Sequence, residues 1–251
     1  MSDNVSSGPT TAPVEAVGAD HLLARLTGVI FSPQATFTRI VARPRWIGAL
    51  AVVTVVISLA TFAFLSTEVG QAAWLDQQVR QSEAFGRAMT ADEYAGMEKN
   101  IAPYVGYIGG GSVLVMVPVV SMILSGILLA VFNALLGGAA TFKQTAAVMS
   151  HAGAVSVIQQ LFIFPLNYAR ESLSSATNLG LFVPFLDESN IVSRFLGTID
   201  LFIVWWLVVL AIGLGVLHRR KTAPIFWSFM GVYVVIALVI ALVMRGASGG
   251  A

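Results

Sequence analysis

Residues 101–142 read IAPYVGYIGGGSVLVMVPVVSMILSGILLAVFNALLGGAATF, a run of 42 residues that contains no Asp, Glu, Lys or Arg. If it were wholly helical it would extend about 60 Å, roughly twice the thickness of the hydrocarbon core of a bilayer. The run therefore predicts either one over-long membrane helix or two shorter helices folded at Gly109-Gly110-Gly111. The choice between them decides how many times the chain crosses the membrane.

The composition of the whole chain supports a membrane protein. Of its 251 residues, 57% are hydrophobic and 11% are charged, whereas ordinary soluble domains are roughly 45–50% apolar and about 25% charged. A single core of this size cannot bury so much apolar surface, so lipid must cover the remainder. A formal net charge of +1 excludes the strong basicity of a nucleic-acid-binding protein, and the absence of Cys excludes disulfides and thiolate sites. We expect an all-α polytopic membrane protein.

Five segments are long and apolar enough to span a bilayer as helices, provided that the 101–142 run forms one span. We place them within a membrane domain at residues 20–245. The predicted spans are approximately residues 46–65, 108–134, 146–166, 199–217 and 225–244.

The distribution of basic residues favours five spans over six. With five, eight of the 14 Lys and Arg residues lie on the side of the N-terminus and six on the other. Because basic residues near span ends are retained in the cytoplasm, we expect a cytoplasmic N-terminus and an external C-terminus. The expected cytoplasmic anchors are Arg39, Arg43, Arg45, Lys143, Arg219, Arg220 and Lys221.

The segments that flank the spans show simpler patterns. Residues 1–19 and 246–251 are rich in small and polar residues and are expected to be flexible tails. Residues 20–43 predict two short amphipathic helices, the second starting at Ser32-Pro33, where Ser can cap and Pro suits the first turn. Their apolar stripe could lie in the lipid headgroup layer or pack on the helical bundle. Farther along, Thr90 and Glu93 have the spacing of a capping box.

No pattern of a catalytic or metal site is present. The string Gly246-Ala247-Ser248-Gly249 lies beyond the last span, where no base could be held against the serine. The three histidines are far apart, and no metal-binding spacing occurs. We therefore expect no catalytic residues, no cofactor and no enzymatic activity.

Polar residues inside the predicted spans are candidates for function. Polar groups at membrane depth are costly, so they either line a polar path or bond one helix to another. The third span carries five of them: Gln144, His151, Ser156, Gln159 and Gln160. Asp200 lies directly before the fourth span, where the unpaired N–H groups of a helix start explain a carboxylate more simply than ion binding does.

The second span carries small residues at helical spacing. Gly106 and Gly110 are four residues apart, as are Ser121 and Ser125. Such faces let helix backbones approach closely within a membrane. They are candidates for packing within this chain or for self-association.

The order of these features resembles the Yip (Ypt-interacting protein) domain family, and its bacterial branch in particular. The likeness covers about residues 22–244. It is carried by FSPQATFTRIVARPRW at 31–46, LLGGAATFKQTAAVMSHAG at 135–153 and TIDLFIVWWLVVLAIGLGV at 198–216. The resemblance implies a five-helix integral membrane protein with a cytoplasmic N-terminus. Eukaryotic relatives bind small GTPases and one another in vesicle traffic. The N-terminal tail here lacks their acidic-aromatic motifs, so we transfer the fold and the membrane-organising class and not the GTPase partner. The likeness to the bacterial branch implies a location in the cell inner membrane.

Two functions are therefore considered. The first is a non-enzymatic membrane scaffold or adaptor, whose partners would be the lipid bilayer, a second copy of the chain or other membrane proteins. The second is a subunit of a small-solute transporter or permease, which would use the polar residues of the third span. No nucleic acid is expected as a partner.

Overall fold

The computed structural model describes residues 21–183, 185–186 and 190–247 of the chain. These residues form α-helices and the connections between them, the longest of which runs from residue 171 to residue 190, with an isolated β-bridge between Asn178 and Asp200. The helices are α1 (Leu22–Phe31), α2 (Pro33–Ala42), α3 (Ile47–Leu65), α4 (Glu68–Ala84), α5 (Ala91–Asn100), α6 (Val105–Ala130), α7 (Phe142–Ala152), α8 (Ala154–Arg170), α9 (Ile191–Thr198), α10 (Leu201–His218) and α11 (Thr222–Ala247). The expected all-α class is confirmed.

Five helical stretches are long and apolar enough to cross a membrane, as predicted. They are formed by α3, by α6 with its flanking turns, by α7 together with α8, by α10 and by α11. The chain alternates direction from one to the next. We call the end where α3, α7 and α11 begin the basic end, and the opposite end, which carries α4, α5 and α9, the acidic end.

The second span is one helix and not two. α6 runs through the three glycines and through Pro118 without interruption, and a π-helical segment, Val131–Leu135, prolongs it. The chain then turns at Gly137, whose φ of 68° suits glycine. The Asn133 side chain closes this turn, since it donates to the Ala140 carbonyl (2.7 Å) and accepts from the Ala140 N–H (3.1 Å).

The third span is two helices in line. α7 begins at a capping box in which the side chain of Thr141 accepts from the N–H of Gln144 and the side chain of Gln144 accepts from the N–H of Thr141. The helix is interrupted at Gly153, and α8 continues to Arg170. A Cβ at Gly153 would lie 3.1 Å from a side-chain methyl of Val53 in α3. The break thus lies where α3 packs closely against the third span.

The apolar stripe of α1 and α2 packs on the bundle. Val29, Phe37 and Ile40 are fully buried, in one cluster with Val148 of α7 and Leu214 of α10. Most of this stripe thus packs on the helical bundle, one of the two placements considered, while Leu23 is 71% exposed. Pro33 is the first residue of α2, as predicted, but the Ser32 side chain makes no capping hydrogen bond, and that part of the prediction is wrong.

Two polar helices, α4 and α5, cover the acidic end. The predicted capping box at the start of α5 is confirmed, because Thr90 Oγ1 accepts from the N–H of Glu93 (3.3 Å) and Glu93 accepts from the N–H of Thr90 (3.0 Å). The hydrogen bond from the Thr90 backbone, with the nearby Arg87 guanidinium, holds the pKa of the Glu93 carboxyl below its usual value. The extra stability that the ionised carboxyl gives this box is present above the ordinary pKa of a glutamate and is lost as the pH falls through the lowered pKa.

The two predicted tails lie largely beyond these helices. Residues 1–19 are outside the described residues, as are residues 248–251. The backbone of α11 continues to Ala247, so residues 246 and 247 are helical and do not belong to a tail.

Candidate functional site

The small residues of α6 face the chain's own helices. Gly106 and Gly110 are buried against α3, and Ser58 of α3 donates a hydrogen bond to the Gly110 carbonyl (2.7 Å). A Cβ at Gly110 would lie 2.9 Å from the Cβ of Phe62. Nearer the basic end, Ser125 is buried and donates to the carbonyl of Ser121, four residues earlier (2.7 Å). α3 therefore occupies the part of this face that holds the glycines, and the opposite, apolar face of α6 stays exposed.

His151 lies at the centre of the bundle. It is fully buried near the end of α7, and its Nδ1 is 2.8 Å from the carbonyl oxygen of Ala147, one turn earlier. Since a carbonyl only accepts, Nδ1 carries a proton and donates it. The other ring nitrogen, Nε2, is buried without a hydrogen-bond partner among the described residues. A buried polar atom without a partner lowers the stability of the fold, so its presence calls for an explanation.

Replacing His151 by leucine is expected to leave the protein as stable as the wild type or slightly more so. The change removes a buried nitrogen that lacks a partner, and the Ala147 carbonyl keeps its helical hydrogen bond. His151→Ala, by contrast, should lower stability by about 2–4 kcal/mol because it opens a cavity. Thermal unfolding of both variants in detergent checks the order. A large loss of stability in His151→Leu would contradict it and would indicate a partner for Nε2.

The other polar residues of the third span do not form one continuous row. Gln144 lies at the basic end, where its amide nitrogen is 3.4 Å from the Val41 carbonyl in addition to its role in the capping box. Ser156 and Gln160 are half-buried on α8. Gln159 lies toward the acidic end, and its amide nitrogen is 3.5 Å from Asp200 Oδ1. Gln159 and Asp200 are the two candidates that the fold brings together.

Asp200 is the centre of a buried hydrogen-bond network. As the N-cap of α10, it accepts from the N–H groups of Phe202 (2.8 Å) and Ile203 (3.3 Å). Its second oxygen accepts from Ser175 Oγ (2.8 Å) and Thr177 Oγ1 (2.5 Å). With Gln159 included, five donors surround a carboxylate that is 7% exposed. Such a set of donors satisfies the oxygens of a buried carboxyl group.

The backbone around Asp200 extends this network to a third segment. The N–H of Asp200 donates to the hydroxyl of Tyr233 (2.9 Å), which in turn donates to the Thr198 carbonyl (2.8 Å). The N–H of Leu201 donates to the Thr177 carbonyl (3.0 Å). The side chain and the backbone N–H of Asp200 together thus join α8, the segment before α9, α10 and α11.

Sequence reasoning missed Ser175, Thr177 and Tyr233. Ser175 and Thr177 lie in an irregular polar segment that has no periodicity of its own. Tyr233 did offer a signal, because it is a hydroxyl-bearing side chain in the middle of a predicted span, and such groups need a partner. The network could not be predicted because these residues lie far from Asp200 along the chain.

The predicted basic anchors all lie at the surface of the basic end: Arg39, Arg43, Arg45, Lys143, Arg219, Arg220 and Lys221 are exposed. Arg25 differs from them. It is buried in α1 and donates from Nη1 to the Arg43 carbonyl (3.1 Å). Arg220 donates from Nη2 to the Leu136 carbonyl (2.6 Å), which ties the turn after α10 to the turn after α6.

In the described part of the chain, these polar groups serve mainly to hold helices and turns in place. The described residues contain no group of three or more His, Cys, Asp or Glu that could hold a metal ion. Among the polar side chains with more than one hydrogen bond, those of Asp200, Thr141 and Asn133 cap helices or close turns between them.

Comparison with known proteins adds one result to this geometry. A sequence model of the Yip1 domain matches residues 27–244. The match begins within α1 and ends within α11, so it includes all five spans. No curated protein and no solved structure matches the chain.

Proposed function

This chain belongs to the Yip1 domain family, and from that premise we propose that it is a non-enzymatic membrane scaffold or adaptor, working through helix–helix and protein–protein association. The family consists of membrane proteins and is associated in general with small GTPases. The observation that carries the proposal is the exposure of α6. In the most apolar 18 residues of that span 6% are buried, against 33–44% for α3, α7 with α8, and α10.

The exposed face of α6 supports lateral association. Val115, Val119, Ile123 and Ile127 follow one another at four-residue spacing and are 46–61% exposed. They form an uncharged apolar ridge, inclined to the helix axis, on the side of α6 that faces away from α3. Helices associate in membranes through van der Waals packing of such faces, and a stripe of branched side chains offers a shape that a partner helix can fit.

We propose that the basic end faces the cytoplasm and that the membrane is the cell inner membrane. The seven exposed cations at that end support this orientation, because Lys and Arg near span ends are retained on the cytoplasmic side. The partner would then be another membrane protein or a second copy of this chain. A bound GTPase is not part of the proposal.

The absence of Cys from the chain permits a direct test by single-cysteine cross-linking. Val119→Cys, Ile123→Cys and Ile127→Cys are expected to cross-link to a neighbouring helix in native membranes. Ser125→Cys lies on the same helix but is buried, and it should remain unlinked. The products are identified by gel mobility and mass spectrometry.

The proposal is wrong if the three exposed cysteines stay unlinked and the purified protein is monomeric in bilayers. A transporter subunit would give a different result, because the double variant His151→Leu, Gln160→Leu should then abolish solute flux in vesicles. For a scaffold, the same double variant should cross-link as the wild type does.

A further inference from the structure

An open groove lies at the basic end, between the start of α2 and the turn that joins α10 to α11. It consists of two adjoining cavities of about 540 and 370 Å³ that share Gln34, Thr38 and Thr222. This is the range of small-ligand sites, roughly 300–1,000 Å³. The other lining residues are Ser32, Pro33, Ala35, Ile212, Gly215, Val216, Arg219 and Arg220.

The lining of the groove is positive. Arg219 and Arg220 contribute two guanidinium groups, and none of the lining residues is an acid. Two helices also begin here, α2 at Pro33 and α11 at Thr222. The N–H groups in a first helical turn have no partner within the helix, and the Ser32 side chain does not cap those of α2. Cations and free donors together favour an anion.

Arg219 adopts a backbone conformation that favours glycine. Its φ of 53° and ψ of 42° are left-handed, and the turn is closed by a hydrogen bond from the N–H of Arg220 to the Gly215 carbonyl (2.9 Å). Glycine is the usual residue at such a position because a side chain there is strained. Here the position carries a cation that lines the groove. Arg220 is anchored differently, through its bond to the Leu136 carbonyl.

The position of the groove relative to the membrane indicates which anion it binds. It lies where one span ends at His218 and the next begins at Thr222, which is the level of the lipid headgroups. Ile212, two turns inside α10, adds an apolar wall on the membrane side. We propose that this groove binds the phosphate group of an anionic membrane phospholipid, with Arg219 as its main cation. Guanidinium groups bind phosphate through paired hydrogen bonds. This inference does not depend on the proposed scaffold function.

Three variants test the site in the purified full chain, in bilayer discs that contain phosphatidylglycerol or phosphatidylcholine. Arg219→Asn removes the charge, and Asn tolerates left-handed backbone. Gln34→Glu places a carboxylate in the groove, while its position in the first turn of α2 stabilises the helix. Lys221→Asn is the matched control, since it makes the same change in charge two residues from Arg219 at a side chain that does not line the groove.

Native mass spectrometry measures the lipid that each variant retains. The wild type should retain phosphatidylglycerol in preference to phosphatidylcholine. Arg219→Asn should weaken phosphatidylglycerol binding about tenfold, the effect of losing one charge-assisted hydrogen bond. Gln34→Glu should weaken it about as much, because the new carboxylate repels the phosphate. Lys221→Asn should stay close to the wild type. The melting temperature of Gln34→Glu should not fall, which separates binding from folding.

Two results would overturn the inference. If Lys221→Asn weakens binding as much as Arg219→Asn, or if no variant changes it, the attraction is a diffuse surface effect and there is no site. If millimolar inorganic phosphate displaces phosphatidylglycerol from the wild type and itself depends on Arg219, the ligand is a soluble phosphate and the lipid assignment is wrong.

Discussion

Gly70→Ala is expected to be among the most destabilising single substitutions in this chain. Gly70 is the third residue of α4, directly after the corner where α3 ends. A Cβ at this position would lie 2.7 Å from the carbonyl carbon of Phe64 and 2.9 Å from Cα of Leu65. These are backbone atoms, so no side-chain rotation can relieve the contact. α4 would have to move away from α3.

That movement would break the corner itself. Thr67 donates to the Phe64 carbonyl (2.7 Å) and accepts from the N–H of Gly70 (3.0 Å), and Ala73 packs with Phe64 in a buried cluster. We expect a loss of about 3 kcal/mol or more, equivalent to a fall of about 10 °C in Tm for a chain of this size. Thermal unfolding in detergent measures it.

Gly96→Ala is the matched control for this prediction. Gly96 lies within α5, and a Cβ there would meet nothing within 4 Å. Alanine favours helix over glycine by up to about 1 kcal/mol, so this variant should be as stable as the wild type or more stable. Equal Tm values for the two alanine variants would show that the α3–α4 corner is looser than described.

Asp200→Ala is expected to lower stability by a comparable amount, because it removes the acceptor of several hydrogen bonds. The change removes the N-cap of α10, which alone contributes about 1 kcal/mol. It also leaves the buried hydroxyl of Thr177 and the side chains of Ser175 and Gln159 without their acceptor, and each buried donor left unpaired costs about 1–3 kcal/mol. We expect a loss of about 4 kcal/mol in total, with the segment before α9 the first part to detach.

Asp200→Asn separates the contribution of the hydrogen bonds from that of the side chain's shape, because Asn has nearly the same shape as Asp. The amide oxygen can still cap α10, but its NH₂ group cannot accept from Ser175 and Thr177. Its stability should therefore fall between those of the wild type and Asp200→Ala. Limited proteolysis between Glu171 and Asn190 provides the local readout. Wild-type stability in Asp200→Ala would mean that the network does not hold the acidic end together.

The spans and the helix starts could be predicted from the sequence because both depend on local properties. A span requires about twenty apolar residues in a row, and the capping box at Thr90 and Glu93 requires one spacing. The sequence also predicted that the second span is one helix, although the three glycines allowed a bend there. The larger number of Lys and Arg residues on the N-terminal side favoured an odd number of crossings.

The candidate sites could be predicted only in part. Local sequence placed Asp200 at a helix start, but its partners Gln159, Thr177 and Tyr233 come from segments that are far apart in the chain. The sequence likewise marked Arg219 as basic, yet it contained no sign that α2 lies beside that turn. The local sequence also gave no sign that Val53 of α3 packs at Gly153, where the third span is interrupted.

The sequence by itself determined that this protein is an all-helical membrane protein with five spans, because hydrophobicity and charge act through the residues of one segment and the solvent around it. Only the tertiary structure decided where the polar groups find their partners. The stripe of α1 and α2 packs on the core, the glycines of α6 meet α3, and Asp200 joins four segments. In a membrane-embedded bundle these pairings follow from shape and hydrogen-bond geometry between distant segments, which no local pattern records.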